Sequence, residues 1–355
     1  MRNNLLVRLL LSPFSFLYGI GVGFRNLLYK KGVLRSVSFD LPIIGIGNLS
    51  TGGTGKSPHV EYLVRFLRQY LRVGVLSRGY KRRTQGVKFV ERNLKVEDVG
   101  DEPLQIKIKH PDVVVTVAER RTLAIPSMIS KYPALRCIVM DDSFQHRSVK
   151  PGLNIMLTTH DEPFYEDYLL PSGNLREWRD GYRRADLIVV TKCPEDLEQS
   201  RAEQMRQKIN PAPNQRVFFS RYRYGKPYYL LNSRYRLQWT PGLNIILFCA
   251  IADTSYLEEY LLDRVDKMHV MSFPDHHYFK QNEIDDLKQR YSSMPGDKKA
   301  IITTEKDAVR LIRFSKVLHE AQLPIFVLPV QVEMMFDQDE QFRDHIKQFM
   351  LNFTV

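Results

Sequence analysis

The sequence predicts an α/β protein: a largely parallel sheet flanked by helices, joined by a short β linker to a smaller C-terminal α/β lobe. Two observations carry that prediction. Apolar runs recur at Val73 to Leu76, Val113 to Val117, Cys137 to Met140, Asn154 to Leu157 and Leu187 to Val190, with helix-compatible segments between several of them. Strands alternating with helices need crossovers, and crossovers make neighbouring strands parallel. The second is Pro42 to Ser57, where an apolar strand (Ile43, Ile44, Ile46) runs through a glycine-rich loop into a helix bearing Val60, Leu63, Val64, Leu67 and Tyr70 at helical spacing. With 355 residues the chain is long enough for two lobes with their own cores.

Residues 1–35 come first, and they are basic. There is no acid before Asp40, while Arg2, Arg8, Arg25, Lys30, Lys31 and Arg35 flank or follow the apolar run Leu9 to Phe24. That run has about sixteen uncharged residues, and a spanning helix needs about 20. A helix capped by Ser12, with Pro13 in its first turn and Phe14, Phe16, Leu17, Tyr18 and Ile20 apolar, is therefore expected to lie in a membrane interface. A secretory signal is disfavoured, because no small-x-small cleavage site follows and the glycine-rich loop comes too soon. A helix docked on the core is the other use of such a segment.

The loop Ser50-Thr51-Gly52-Gly53-Thr54-Gly55-Lys56-Ser57 has Ser where the strict phosphate-loop pattern has Gly, yet it sits in the strand, loop, helix order that phosphate binding requires. Glycines let backbone N–H groups close around phosphates, Lys56 is placed for the β and γ oxygens, and Ser57 offers a hydroxyl to Mg²⁺. Residues 36–212 thus read as a P-loop NTPase-like core. A carboxylate at the end of a neighbouring strand should organise the metal, and Cys137 to Met140 runs directly into Asp141 and Asp142. Phe144-Gln145-His146-Arg147 follows at the same sheet edge, where open α/β folds bind ligands. Gly100-Asp101-Glu102-Pro103 offers two further acids, one of them a candidate general base for an attacking alcohol.

Residues 213–240 change texture to short Tyr- and Arg-rich pieces, Arg216 to Ser220, Tyr228 to Leu231 and Tyr235 to Trp239, which suggest a small antiparallel linker. Within it Arg221-Tyr222-Arg223-Tyr224 reads as one solvated strand face and not as a stacking platform for single-stranded nucleic acid. From residue 241 to 355 the alternation resumes, with strands at Ile245 to Phe248, Ala300 to Thr303 and Ile325 to Val330. Hinges are expected near Pro211 and Pro241. Charged clusters stand where strands meet loops: Ser77-Arg78-Gly79-Tyr80, Leu175-Arg176-Glu177, Asp275-His276-His277-Tyr278 and Thr304-Glu305-Lys306-Asp307. The paired histidines have no Cys or third His at ligand spacing, which points to orienting a base or contacting substrate and not to a metal.

Composition narrows the partners. The net charge of +12 suits nucleic acid, anionic lipid or a phosphorylated substrate, and its concentration at the apolar N-terminus selects a membrane surface, with no nucleic acid. Cys137, Cys193 and Cys249 are far apart and form no C-x-x-C, so neither a disulfide framework nor a zinc site is expected, and a reducing compartment fits.

Taken in order, these segments resemble the tetraacyldisaccharide 4′-kinases, the lipid A 4′-kinases of Gram-negative bacteria. The resemblance is collinear over nearly the whole chain. It covers Ser12-Pro13-Phe14 to Tyr18-Gly19, Arg25 to Tyr29, Gly47-Asn48-Leu49 into the loop, Leu76 to Tyr80, Gly100 to Pro103, Asp141 to Arg147, Leu170-Pro171-Ser172-Gly173 to Glu177, Asp275-His276, and Thr304 to Val309. It implies transfer of the ATP γ-phosphate to the 4′-hydroxyl of tetraacylated glucosamine disaccharide 1-phosphate, forming the 4′-phosphate of lipid A (lipid IV-A) in lipopolysaccharide biosynthesis. The implied cofactors are ATP and Mg²⁺. The implied location is the cytoplasmic face of the inner membrane, peripheral or monotopic, with no protein partner required.

Residue by residue, the resemblance makes Asp101 a base together with His276, with Lys56 catalytic and Ser50 to Ser57 on ATP. Ser57, Asp141 and Asp142 would organise the metal, and Asn48, Arg78, Glu102, His146 and Arg176 would contact phosphate or substrate. Two positions depart from the family pattern: Ser143 stands where Gly is usual, and Ala250-Ile251-Ala252-Asp253 where a Gly-containing turn is usual. The second is expected to bear on lobe packing more than on phosphate chemistry. Two other functions fit a phosphate loop. A partitioning NTPase would carry a lysine where Thr51 stands, and Thr191-Lys192-Cys193-Pro194 lacks the aspartate of a guanine-reading motif. A nucleotide-dependent membrane scaffold would leave Asp101, Asp141 and Asp142 without a task.

Overall fold

The computed structural model describes residues 5–353, and Arg2 of the basic N-terminal segment lies outside them. The chain runs α1 (Leu5–Lys30), β1 (Ile43–Asn48), α2 (Lys56–Leu67), β2 (Val73–Ser77), β3 (Lys88–Phe89), α3 (Val96–Val99), α4 (Asp101–Lys109), β4 (Val114–Val117), α5 (Arg121–Lys131), β5 (Cys137–Met140), β6 (Leu153–Thr159), β7 (Leu187–Thr191), α6 (Gln199–Ile209) and β8 (Arg216–Tyr224). It continues through β9 (Tyr228–Tyr229), β10 (Asn232–Arg236), β11 (Asn244–Cys249), α7 (Ser255–Leu262), β12 (Lys267–Ser272), α8 (Gln281–Ser293), β13 (Lys299–Thr304), α9 (Glu305–Leu311), α10 (Ser315–Glu320), β14 (Ile325–Leu328), β15 (Val330–Met334) and α11 (Asp339–Leu351).

A nine-stranded sheet in the order β15-β8-β7-β6-β1-β5-β2-β4-β3 forms the first lobe, and a six-stranded sheet in the order β10-β9-β14-β13-β11-β12 forms the second. In the larger sheet β8, β7, β6, β1, β5, β2 and β4 are mutually parallel, while β3 and β15 close the edges antiparallel. β1, β2 and β5 are buried along their whole length. Their unbroken apolar runs are what helices on both faces demand. Since these strands run the same way, Asn48, Ser77, Asp141 and Thr191 gather at or just beyond one edge of the sheet. Gly47 lets the turn after β5 cross that edge: a Cβ there would meet the Phe144 backbone nitrogen at 2.6 Å.

Several expectations change. Ser12 and Pro13 do not start α1, which is already helical at Leu5 and carries Pro13 inside it. Pro13 cannot donate to the Leu9 carbonyl, and the Ser12 hydroxyl does so instead at 2.8 Å, which lets the helix continue. As a result residues Leu6–Lys30 are long and apolar enough, by length and composition, to cross a membrane. The helix is docked all the same, along one narrow stripe. Gly19 packs under Trp178, whose indole N–H donates to the Gly19 carbonyl at 2.8 Å, Ser15 bonds Ser172 at 2.8 Å, and Asn26 donates to Glu177 at 3.1 Å. Leu6, Leu9, Leu10, Phe14, Phe16, Leu17, Ile20 and Phe24 remain exposed.

Residues 213–240 are not a separate linker but divide between the sheets, with β8 pairing parallel to β7 and β9 and β10 joining the second sheet. In β8 the period-two alternation sends Arg221 and Arg223 to Glu333 (3.2 and 3.7 Å), while Tyr222 and Tyr224 turn inward. The run Ile325 to Val330 breaks at Pro329. Beyond it β15 returns to the first sheet beside β8, and α11 packs Phe342 and Ile346 into the first core with Tyr62 and Phe218. Residues 330–351 are therefore first-lobe structure. The chain crosses between lobes after Tyr224 and after Leu328, where Gly225 N–H donates to the Pro329 carbonyl at 2.9 Å. Neither Pro211 nor Pro241 is at a crossing.

Candidate active site

Gly52 and Gly55 take φ of 117° and 83°, which glycine alone adopts without strain, and they fold residues 50–57 over the end of β1. Ser50 bridges Leu175, and Thr51 N–H donates to Asn174 O at 2.7 Å. Thr51, Gly52 and Gly53 are exposed, Thr54 and Gly55 are buried, and Ser57 is half-buried in the first turn of α2. Thr191 Oγ1 donates to the Thr54 carbonyl at 2.9 Å, so the end of β7 braces the loop. Buried His59 does the same from behind. Its Nδ1–H donates to Gly55 O at 2.7 Å and its Nε2 accepts from Ser220 Oγ at 3.0 Å, and burial pushes the imidazole down to about 4.

Asn48, Lys56, Asp142 and Arg176 converge beside the loop. Lys56 Nζ donates to Asn48 Oδ1 at 3.3 Å and lies 3.7 Å from Asp142 Oδ1, and Arg176 bonds Asn48 Oδ1 and reaches Asp142 Oδ1 at 3.0 Å. Despite burial, the charges of Arg176 and Lys56 hold the Asp142 carboxyl well below the usual range. Asp142 has φ 44°, an uncommon conformation that Arg121 supports by donating to the carbonyls of Asp141 and Asp142. The positive φ thus falls on Asp142 and not on Ser143, whose N–H donates to Ile46 O at 2.8 Å. Gly45 leaves room for the Ser143 hydroxyl, since a Cβ there would lie 2.6 Å from it. Serine is accommodated at this position.

Asp141 behaves differently from its neighbour. Burial, together with the charges of Glu102 and Asp142, raises it to about 6. Ser77 Oγ donates to its Oδ2 at 3.1 Å, while its Oδ1 is buried without a hydrogen-bond partner. A cation would supply that partner. Among the described residues no group of three or more His, Cys, Asp or Glu side chains could hold a metal ion. His146 is half-buried nearby, and burial with the charge of Arg121 brings it down to about 4. Arg78, exposed at the end of β2, adds to the positive field on both.

On the far side of the edge, Asp101 opens α4 and meets the second lobe. His276 Nδ1 stands 2.9 Å from Asp101 Oδ2, Arg310 pairs with the same oxygen, and Lys306 Nζ lies 4.0 Å from it. Burial opposes ionisation, but the His276 hydrogen bond and the charges of Lys306 and Arg310 hold Asp101 well below the usual carboxylate range. Glu102 joins through Lys306 at 3.4 Å. Arg310 is fixed in turn by Asp307 at 2.7 Å and the Ala250 carbonyl at 3.0 Å. The turn 250–253 also reaches the phosphate loop: Ala252 Cβ would lie 3.9 Å from a Cβ on Gly53, and Asp253 pairs with Lys192 at 3.0 Å. It therefore bears on the nucleotide site as well as on packing. Sequence reasoning singled out Lys306 without giving it a role and missed Arg121 and Arg310. Arg121 sits in a plain Arg-Arg pair, and Arg310 lies just past the charged run on α9.

The family described as tetraacyldisaccharide-1-P 4′-kinase matches residues 7–351. A tetraacyldisaccharide 4′-kinase of Bacteroides thetaiotaomicron is 40% identical over 347 residues, covering 95% of this chain and 91% of its own. Another, of Porphyromonas gingivalis, is 41% identical over 344 residues, covering 95% of each. Among solved structures, LpxK from Aquifex aeolicus in complex with ATP superposes with a TM-score of 0.74 at 28% identity, over 97% of this chain and 99% of that one.

Proposed function

The chain belongs to the tetraacyldisaccharide-1-P 4′-kinase family, and on that premise we propose how its residues carry out the reaction. The protein is an ATP-dependent kinase that phosphorylates the 4′-hydroxyl of the tetraacylated disaccharide 1-phosphate in lipid A biosynthesis. The observation that carries our reading of the site is the convergence of Asn48, Lys56, Asp142 and Arg176 beside the phosphate loop, across from the Asp101–His276 pair.

In this reading residues 50–57 cradle the triphosphate, and Lys56 and Arg176 neutralise charge that builds on the transferring group, the main demand of a loose phosphoryl transition state. Ser57, Asp141 and Asp142 would hold Mg²⁺, which when bound neutralises phosphate charge. Support for that assignment is the unpartnered Asp141 Oδ1. Asp101 Oδ2 is already engaged by His276, Arg310 and Lys306, so we assign the proton to His276 and give Asp101 the task of orienting the ring. Arg78, Glu102 and His146 are left for the sugar and its 1-phosphate.

We place the protein at the cytoplasmic face of the inner membrane, with the exposed side of α1 among acyl chains and its basic residues at the anionic surface. The decisive experiment is transfer of labelled γ-phosphate from Mg-ATP to tetraacylated disaccharide 1-phosphate in detergent micelles, for wild type and Lys56→Ala. Lys56-dependent label on the lipid is the expected result. ATP hydrolysis without lipid label would overturn the reading in favour of an NTPase.

A further inference from the structure

The charged run at the start of α9 contains three residues, and two have evident structural partners. Asp307 N–H donates to Thr304 Oγ1 at 3.1 Å, capping the helix, and Glu305 pairs with Lys109 at 2.7 Å. Lys306 has a different neighbourhood. Its Nζ lies 3.2 Å from His276 Nε2, 3.2 Å from Asp275 Oδ1 and 3.4 Å from Glu102 Oε1.

An ammonium group only donates hydrogen bonds, so the ring nitrogen facing it must present a lone pair. A carboxylate only accepts, so the nitrogen facing Asp101 must carry the hydrogen. Asp275 Oδ2 also lies near Nε2, at 3.5 Å, but the Lys306 ammonium is nearer, and between them Lys306 and Asp101 favour the tautomer of His276 with the hydrogen on Nδ1 and Nε2 free to accept. His276 itself has φ 61°, a conformation that needs support from its surroundings, and Lys306 and Asp101 grip the ring from two sides. One grip comes from each lobe.

We propose that Lys306 is a positioning residue for phosphoryl transfer, holding His276 Nε2 unprotonated and yielding that lone pair to the acceptor hydroxyl. This rests on His276 being the proton acceptor. As the hydroxyl oxygen bonds to the γ-phosphorus, the bond from that phosphorus to the ADP oxygen breaks with its electron pair, and the hydroxyl proton passes to Nε2. Lys306 keeps its own protons and shifts onto Glu102 and Asp275, which already hold it. The groups facing the ring are Asp101 and Glu102 from α4, Asp275 from its own loop, Lys306 and Arg310 from α9, and the Tyr80 ring at 4.9 Å, with Lys81 donating to the Asp275 carbonyl at 3.4 Å. Without Lys306, Nε2 faces the Asp275 carboxylate, 3.5 Å away, with no cation beside it. A carboxylate only accepts, so the ring hydrogen is drawn to Nε2, and a nitrogen that carries it cannot take the hydroxyl proton.

The test compares Lys306→Met and Lys306→Arg with His276→Ala and Asp101→Ala, by kcat, KM for ATP and ¹⁵N spectra of histidine-labelled protein, which distinguish a ring hydrogen on Nδ1 from one on Nε2. For Lys306→Met we expect kcat to fall by about 10- to 100-fold with KM for ATP within about twofold. The His276 hydrogen should move from Nδ1 to Nε2, and Lys306→Arg should restore most of kcat. A fall in kcat with the spectrum unmoved would overturn the proposal, as would wild-type kcat in Lys306→Met. If His276→Ala retains full turnover, the base assignment itself fails. If His276→Ala is impaired and Lys306→Met is not, the Lys306 role alone fails. Should Lys306→Met not fold, Lys306→Gln carries the same spectral readout.

Discussion

On the first lobe, Asn48, Lys56, Asp142 and Arg176 meet at the end of one parallel sheet, whereas the second lobe brings His276 and Arg310 to Asp101 from 175 and 209 residues away. The first group is positioned by the ends of buried strands and by loop backbone, so it persists wherever the first lobe is folded. The second exists only while the lobes touch. Nucleotide binding and proton removal should therefore respond to different substitutions.

The sharpest test is Lys56→Ala, which acts on the first group alone and should lower turnover by about 10³-fold or more, checked by label transfer to the lipid. Next, Asp101→Ala and His276→Ala should each lower kcat by about 10² to 10⁴ while leaving ATP affinity near wild type, and the double variant should be little worse than either. Parallel loss of ATP affinity in titrations would break the comparison, because it would make the two groups one unit.

His59 sharpens it from the stability side. Its folded-state value, about 4, lies below the ordinary 6.5, so the unfolded chain binds the extra proton first as pH falls. The stability it confers is fully present above pH 6.5 and is lost as pH falls toward 4, by roughly 3 kcal/mol. In thermal melts His59→Gln should show a smaller drop in Tm between pH 7 and pH 5 than wild type. The smallest effect is expected at the contact between lobes near the loop. Lys192→Ala or Asp253→Asn removes one half-exposed ion pair, and KM for ATP should rise roughly two- to fivefold with kcat nearly unchanged. On the membrane side, Phe14→Ser with Leu17→Ser should weaken vesicle association by about tenfold or more, measured by flotation, without altering ATP binding in detergent.

Much of the first group was legible because each part is contiguous: strand, glycine loop and helix at Ile43 to Leu67, and a buried strand ending in Asp141 and Asp142; Tyr70, read at the same helical spacing, lies past the end of α2 and is exposed. Local periodicity and turn chemistry report such units directly. What could not be read was pairing at a distance. Nothing in Val330 to Met334 announces that it returns to β8, and nothing in Arg310 announces Asp101, since these depend on which surfaces meet after folding. The start of α1 was misplaced for a local reason. Ser12-Pro13 has the sequence of a helix beginning, and only the Ser12 bond to Leu9 reveals a helix already under way. Arg121 was invisible because its partners are backbone carbonyls, which carry no side-chain signature.

The side-by-side crossings at Gly225 and Pro329 make the second lobe an insertion between two neighbouring strands, and this orders events during synthesis. Residues 226–329 emerge as a continuous piece and can collapse on themselves while the ribosome is still working. The first lobe cannot finish, because β15 and the Phe342 and Ile346 of α11 leave the ribosome after the whole second lobe. Until they arrive, β8 is an open strand edge, in a chain whose N-terminal helix also exposes apolar side chains, and such surfaces promote misassociation. Chains truncated before Val330 should therefore aggregate even though every residue of the phosphate loop is present.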